Sequence, residues 1–275
     1  LSYSEFALKR GVRILLPLVA SIMVGLLVNH IVGEPFNVWQ TLANLLSLQY
    51  VWADPLPNMP ILWTMVYIVW FYVLVYAVIL LTQPTARLKC AGILVLAMAV
   101  SVYTVAERGT GTHFLFVFVF GILAYYLKSF RLPKVVTILC LVLMLGLSLL
   151  AKVSKPSISH ATLALNVNLL YTLESLCIAL LVSQFIQHKP VTRFARYIEQ
   201  KSSWFAAFSY SLYLMHLPVI TLLLYLGFPR AYDVNVTSVA LWLGGVVICY
   251  IVSYMFYLAV EKPSLTWKKR LTAHD

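Results

Sequence analysis

Five polar side chains interrupt one apolar stretch, Phe208-Ser209-Tyr210-Ser211-Leu212-Tyr213-Leu214-Met215-His216-Leu217-Pro218. Ser209, Tyr213 and His216 fall at i, i+4 and i+7, a single stripe along a helix. An imidazole there could take a proton from a hydroxyl near neutral pH, with the phenol and the serine orienting the reactant. The same histidine could instead bond to a neighbouring helix and fix packing. Pro218 has no amide hydrogen and so frees a nearby carbonyl.

Two further groups are chemically suggestive. Glu174 is the only acid well inside an apolar run. An ionised carboxylate there must be paired, protonated or facing water. Counting from the run edges places Glu174 ~12 Å below one boundary and His216 ~16 Å above the other, at 1.5 Å per residue. In a hydrocarbon core of ~30 Å these depths nearly coincide, so a Glu174–His216 pair is expected. Asn168 and Tyr171, on the face of Glu174, are its rival partners. Near the start, Lys9-Arg10-Gly11-Val12-Arg13 precedes Ile14-Leu15-Leu16-Pro17. Arg10 and Arg13 share a helical face, where they either anchor the chain at a membrane surface or clamp a phosphate bidentately.

The elements that carry these residues follow from composition. The chain has 275 residues, 62% hydrophobic, 11% charged and 14% aromatic, with a mean hydropathy of +0.89. So few charges cannot cover a water-facing surface; soluble domains carry about 25%. Soluble enzymes, disordered chains and disulfide scaffolds are excluded. The expected class is an all-α polytopic membrane protein forming one membrane-embedded domain over 1–275. Eight apolar runs can form helices: 14–32, 61–82, 90–106, 114–127, 135–151, 167–186, 205–228 and 236–260. They are continuous rather than alternating, which favours helices over barrel strands.

The net charge of +11 reflects membrane orientation and anionic lipid rather than nucleic acid. With the start cytoplasmic, only Arg108, Lys152, Lys155 and Arg230 fall outside, leaving the other sixteen of twenty Lys and Arg inside. Both termini are therefore expected in the cytoplasm, in a bacterial inner membrane. The long segment 33–60 carries no Lys or Arg, and its part 36–52 is expected to lie along the outer interface, as a plain interfacial helix or as a lid. Cys90, Cys140, Cys177 and Cys249 lie in separate apolar runs and suggest neither zinc nor disulfides. Gly109-Thr110-Gly111-Thr112 lacks the lysine of a phosphate loop, and no metal motif appears.

Several motifs now resemble one family. FSYSLYLMHLPV at 208–219 is similar to the late-helix motif of the acyltransferase family 3 membrane proteins. FALKRGVRILLP at 6–17 resembles their RxxR segment, Val260-Glu261-Lys262-Pro263 their terminal VE(R/K)P, 62–72 their LWSLSVEEQFY stretch and 118–126 their glycine-containing helix. The resemblance implies transfer of an acyl group, often acetyl, from a coenzyme A thioester to a hydroxyl of a cell-surface or exported polysaccharide or glycolipid. It casts Arg10 and Arg13 as donor contacts and places His216, Tyr210 and Tyr213 near the acyl path; with Glu174 added from its depth, the expected catalytic residues are His216, Glu174 and Tyr213. Tyr210, Ser209 and His113 would contact the acceptor. No tightly bound cofactor and no metal are expected; the partners are the acyl-CoA donor, the acceptor and lipid. Two departures stand out. The family's first two spans, with their Arg-x10-His motif, have no counterpart, and Ile68 and Val69 stand where two glutamates would fall. The rival readings are a transporter of a lipid-linked or small polar solute, whose paired repeats are not visible, and an inactive or fragmentary family member.

The charge pattern generates a topology prediction. Single cysteines placed at Lys128 and Lys155 are expected to react with an impermeant thiol reagent from opposite faces of the membrane. Labelling from the same face would remove a span between them.

Overall fold

A computed structural model of the protein describes residues 3–81, 87–108, 112–153, 160–187, 193–230 and 235–271. The described residues are helical apart from turns and one isolated bridge between Gln49 and Ala53. The helices are α1 (Tyr3–Ile31), α2 (Val38–Leu45), a short 3₁₀ turn (Pro60–Leu62), α3 (Trp63–Leu81), α4 (Arg87–Arg108), α5 (Thr112–Leu127), α6 (Lys134–Val153), α7 (His160–Gln187), α8 (Arg193–Ala207), α9 (Ser209–Tyr225), α10 (Val236–Phe256) and α11 (Lys262–Leu271). A π-helical turn, Tyr257–Glu261, joins the last two.

All eight expected runs fall in helices, but their number as spans is corrected. Among the described residues, four segments are long and apolar enough to cross a membrane: Arg10–Ile31, Pro60–Leu81, Leu169–Ile186 and Val236–Thr266. A fifth exists if Arg196–Ala207 and Ser209–Tyr225, bent by 54°, form one crossing. The runs expected over 90–106, 114–127 and 135–151 lie in α4, α5 and α6, helices of 22, 16 and 20 residues.

The chain divides into two compact units. One comprises Leu1–Ser101 and Ile198–Asp275, the other Val102–Tyr197. In the second unit α7 packs on both α5 and α6. The Gln184 side chain on α7 donates to the Phe130 carbonyl at 2.9 Å and accepts from the Leu132 amide at 3.0 Å, tying down the α5–α6 turn.

In the first unit α1 is central, packing on α2, α3, α9, α11 and the π turn, while α9 also packs on α10. Its core joins Leu18 and Ile22 of α1 to Leu56, Met59, Leu62, Met65 and Leu214. Ile68 and Val69, apolar where the related motif carries acids, pack against this cluster.

The segment after α1 has a built interior. Asn44 is fully buried and binds the chain on two sides: its amide donates to the Asp54 carbonyl at 3.1 Å, and its oxygen accepts from the Leu56 amide at 3.3 Å. Gln40 donates to the Pro55 carbonyl at 2.9 Å, Trp70 of α3 to the Ser47 carbonyl at 2.8 Å, and Asn58 to the Asn29 side chain at 3.1 Å. Backbone groups of a loop need such partners once water is excluded. The other face of α2 presents Val38, Trp39 and Leu42 outward, and Trp39 lies 5.8 Å from the equally exposed Trp52. This is the amphipathic pattern of an interfacial helix.

The sharpest steric constraint is at Gly25 of α1. A Cβ built there would stand 1.9 Å from Sδ of Met59, which is itself fully buried. Overpacking of this kind typically costs about 1–3 kcal/mol. Gly25→Ala is expected to lower the melting temperature in detergent. Adding Met59→Ala should recover part of that loss, so a double-mutant cycle on melting should return a non-zero interaction term.

Candidate functional site

The helix with the polar stripe begins at a bend. Phe208, 1% exposed, sits at the break between α8 and α9, with the rings of Trp204, Tyr250 and Tyr254 5.2–5.9 Å away. Edge-on contacts of this kind add to simple burial. From this hinge the first eight residues of α9 send their five polar side chains in different directions.

Tyr210 points at α1 and donates to the Ile14 carbonyl at 3.0 Å. Ser211 is fully buried and donates to Glu261 of the π turn at 2.5 Å. Tyr213 donates to the Ile61 carbonyl at 2.8 Å and shares a second hydrogen bond with the Thr64 hydroxyl. Ser209 reaches back across the break, donating to the Ala206 carbonyl at the end of α8 at 3.0 Å. One helix is thus pinned to α1, to the start of α3 and to the end of α10.

His216 is held differently. Its Nδ1 lies 2.8 Å from the Tyr213 carbonyl and 3.1 Å from the Leu212 carbonyl. A carbonyl oxygen only accepts, so Nδ1 carries the proton. In the neutral ring the lone pair is then on Nε2. His216 lines a cavity of about 900 Å³ between α9 and α10, together with Ser209, Tyr213 and Tyr250. The predicted stripe of Ser209, Tyr213 and His216 therefore does share one face, and that face lines the cavity.

Tyr210 departs from the expected grouping. It does not line this cavity and serves the α1–α9 contact instead. That contact brings α9 to the residue following Arg13. Arg13 is exposed, and Arg10, also exposed, lies over the Tyr72 ring at 5.4 Å. Both cations thus stand at the same end of the unit as the start of α9.

Glu261 is a residue that pattern reading passed over as a site. It is 2% exposed, bonded to Ser211 and within electrostatic reach of Arg13. The signal available was the Val260-Glu261-Lys262-Pro263 motif, which carries no contact information. The π turn that places Glu261 inward is a rare helix form, frequent at functional positions. An acid so deeply buried needs both its hydrogen bond and a nearby cation.

Glu174 lies on α7 in the second unit and accepts from Ser148 of α6 at 2.5 Å. His216 lies in the first unit. His113 stands in the first turn of α5, and its side chain is outside the described residues, as is that of Asn168. Among the described residues no group of three or more His, Cys, Asp or Glu could hold a metal ion.

Removing the Ser211 hydroxyl leaves a buried carboxylate oxygen unpaired, at a typical cost of about 1–3 kcal/mol. Ser211→Ala is expected to lower the melting temperature, whereas Ser209→Ala, whose bond is exposed and reaches only three residues back, should leave it almost unchanged.

A family model described as an acyltransferase domain matches residues 1–258. Neither the curated proteins nor the solved structures contain a match to the chain.

Proposed function

The chain belongs to the acyltransferase family 3, and from that premise we propose that it moves an acyl group from a coenzyme A thioester to a hydroxyl of a cell-surface or exported polysaccharide or glycolipid. It is a membrane acyltransferase by family and by its apolar helices. The donor, the acceptor, an inner-membrane location and cytoplasmic termini belong to the proposal.

The observation that carries the reading is the fixed tautomer of His216. Its Nδ1–H is committed to backbone carbonyls, and its basic Nε2 belongs to a ring lining a cavity. In the proposed reaction Nε2 takes the proton of the acceptor hydroxyl. The oxygen attacks the thioester carbonyl carbon, the carbon–sulfur bond breaks, and the imidazolium returns the proton to the departing coenzyme A thiolate. Tyr213, its hydroxyl bound to Ile61, keeps the stripe in register beside the ring. Arg10 and Arg13 are proposed to hold the coenzyme A phosphates, since both are exposed and planar guanidinium groups suit phosphate oxygens. Tyr210 would link that donor end to α9, and Ser209 and His113 are proposed to meet the acceptor. Glu174 is proposed to be coupled to His216, favouring the imidazolium that forms during transfer.

One observation favours a second reading. The 54° break between α8 and α9 is the kind of helix interruption that solute transporters use. Transporters pair such breaks in repeated halves, and only this one is present among the described residues.

Membranes carrying the protein are expected to release coenzyme A thiol from an acyl-CoA in the presence of host polysaccharide. His216→Ala should abolish release at normal expression. His216→Ala with full activity would return the histidine to a packing role, and solute uptake without thiol release would favour transport. Arg13→Lys keeps the charge but loses the two-pronged geometry. It should weaken coenzyme A binding about tenfold, the equivalent of ~1.4 kcal/mol, as read by calorimetry. A cycle of Glu174→Gln and His216→Gln that adds without an interaction term would separate those two residues.

A further inference from the structure

The cavity beside His216 is much larger than an acetyl group requires. It runs along α9 from Ser209 to Leu224, past Phe228, Pro229 and Arg230 of the following turn, and along α10 from Ser238 to Tyr250. Its polar side chains sit at its ends. Ser209, Tyr213 and His216 mark the end nearer the start of α9, and Arg230 and Ser238 the other. Between them the lining includes Ile220, Leu223, Leu224, Leu241 and Val246. A sugar placed there would leave several hydroxyls without partners, each at a cost of roughly 1–3 kcal/mol. A hydrocarbon chain loses nothing by the same placement and gains by leaving water.

Resting on the acyl-transfer reading, we propose that this cavity is an acyl-chain slot and that the group transferred is a hydrocarbon chain longer than acetyl. The slot is continuous with the candidate catalytic face, because Tyr213 and His216 line both. A thioester carbonyl beside Nε2 would direct its chain along Ile220 and Leu223 toward Phe228. From His216 to Leu224 the helix advances ~12 Å at 1.5 Å per residue, a length that a single methyl group leaves empty.

The width of the slot depends on Gly245 of α10. A Cβ built there would meet only the Phe228 ring, at 3.8–3.9 Å, an ordinary contact. One added carbon fits at this point, while a large side chain would occupy the space that the chain needs. Gly245 is in this sense a specificity-determining position.

The full chain in lipid nanodiscs should be titrated with acetyl-, butyryl-, hexanoyl- and octanoyl-CoA, with empty nanodiscs subtracted. Affinity is expected to rise up to about fourfold per methylene, the transfer value of one CH₂, until the slot is full. Gly245→Trp should bring octanoyl-CoA down to the affinity of acetyl-CoA in the unsubstituted protein. Gly245→Ala should trim the gain less and shows that the position tolerates change. Equal affinity along the series would overturn the slot and leave the acyl-transfer reading standing. An equal rise in the unsubstituted protein and in Gly245→Trp would also overturn it, since the chains would then be dissolving in lipid around the protein. Absence of binding by every thioester, coenzyme A included, would overturn both.

Discussion

Hydrocarbon gives a helix no partner for its polar side chains, and the first eight residues of α9 carry five of them. Everything that positions the candidate site follows from how those five are satisfied. Tyr210 reaches the Ile14 carbonyl, Ser211 reaches Glu261 and Tyr213 reaches the Ile61 carbonyl. Each bond crosses to a different element, and together they set the rotation of α9 about its axis. Inside a bilayer such bonds have few competitors, so they specify register even where the net energy of each is modest. Once the rotation is set, the face with Ser209, Tyr213 and His216 must line the space toward α10.

The same demand accounts for Glu261. A carboxylate at 2% exposure is expensive, and its environment is arranged accordingly, with the Ser211 hydroxyl at 2.5 Å and Arg13 close enough to act on it electrostatically. The π turn supplies the extra residue that turns the acid inward where α10 gives way to α11. Arg13 is thereby coupled to the end of the chain as well as to its start. A site for an anionic donor at Arg10 and Arg13 would rest on contacts drawn from α1, α3 and the π turn.

The segment after α1 solves a related problem with backbone. Residues between α1 and α3 fold back so that Asn44, Gln40 and Trp70 satisfy carbonyls and amides that no helix ladder covers. Met59 then fills the notch left by Gly25, which closes the core between α1 and the loop. Val38, Trp39 and Leu42 of α2 are left outward, where an interface between water and lipid would cover them.

The helical class, the apolar runs and the one-face spacing of Ser209, Tyr213 and His216 were legible in the sequence, because they depend on local periodicity of 3.6 residues and on hydropathy. The motifs also sufficed for the family, since a motif is a linear pattern. Whether the run 205–228 is one straight element was not legible: hydropathy counts apolar residues but not where a helix bends, and the rings of Tyr250 and Tyr254 pack on Phe208 at the break. Tyr210 and Tyr213, three residues apart, looked alike; only the positions of α1 and α3 decided that both phenols leave for backbone carbonyls and that one of the two rings lines the cavity. The partner of Glu261 was hidden for the same reason. Sequence spacing determines which residues of one helix share a face, whereas the atom each meets belongs to a helix up to about two hundred residues away, and only tertiary packing brings the two together.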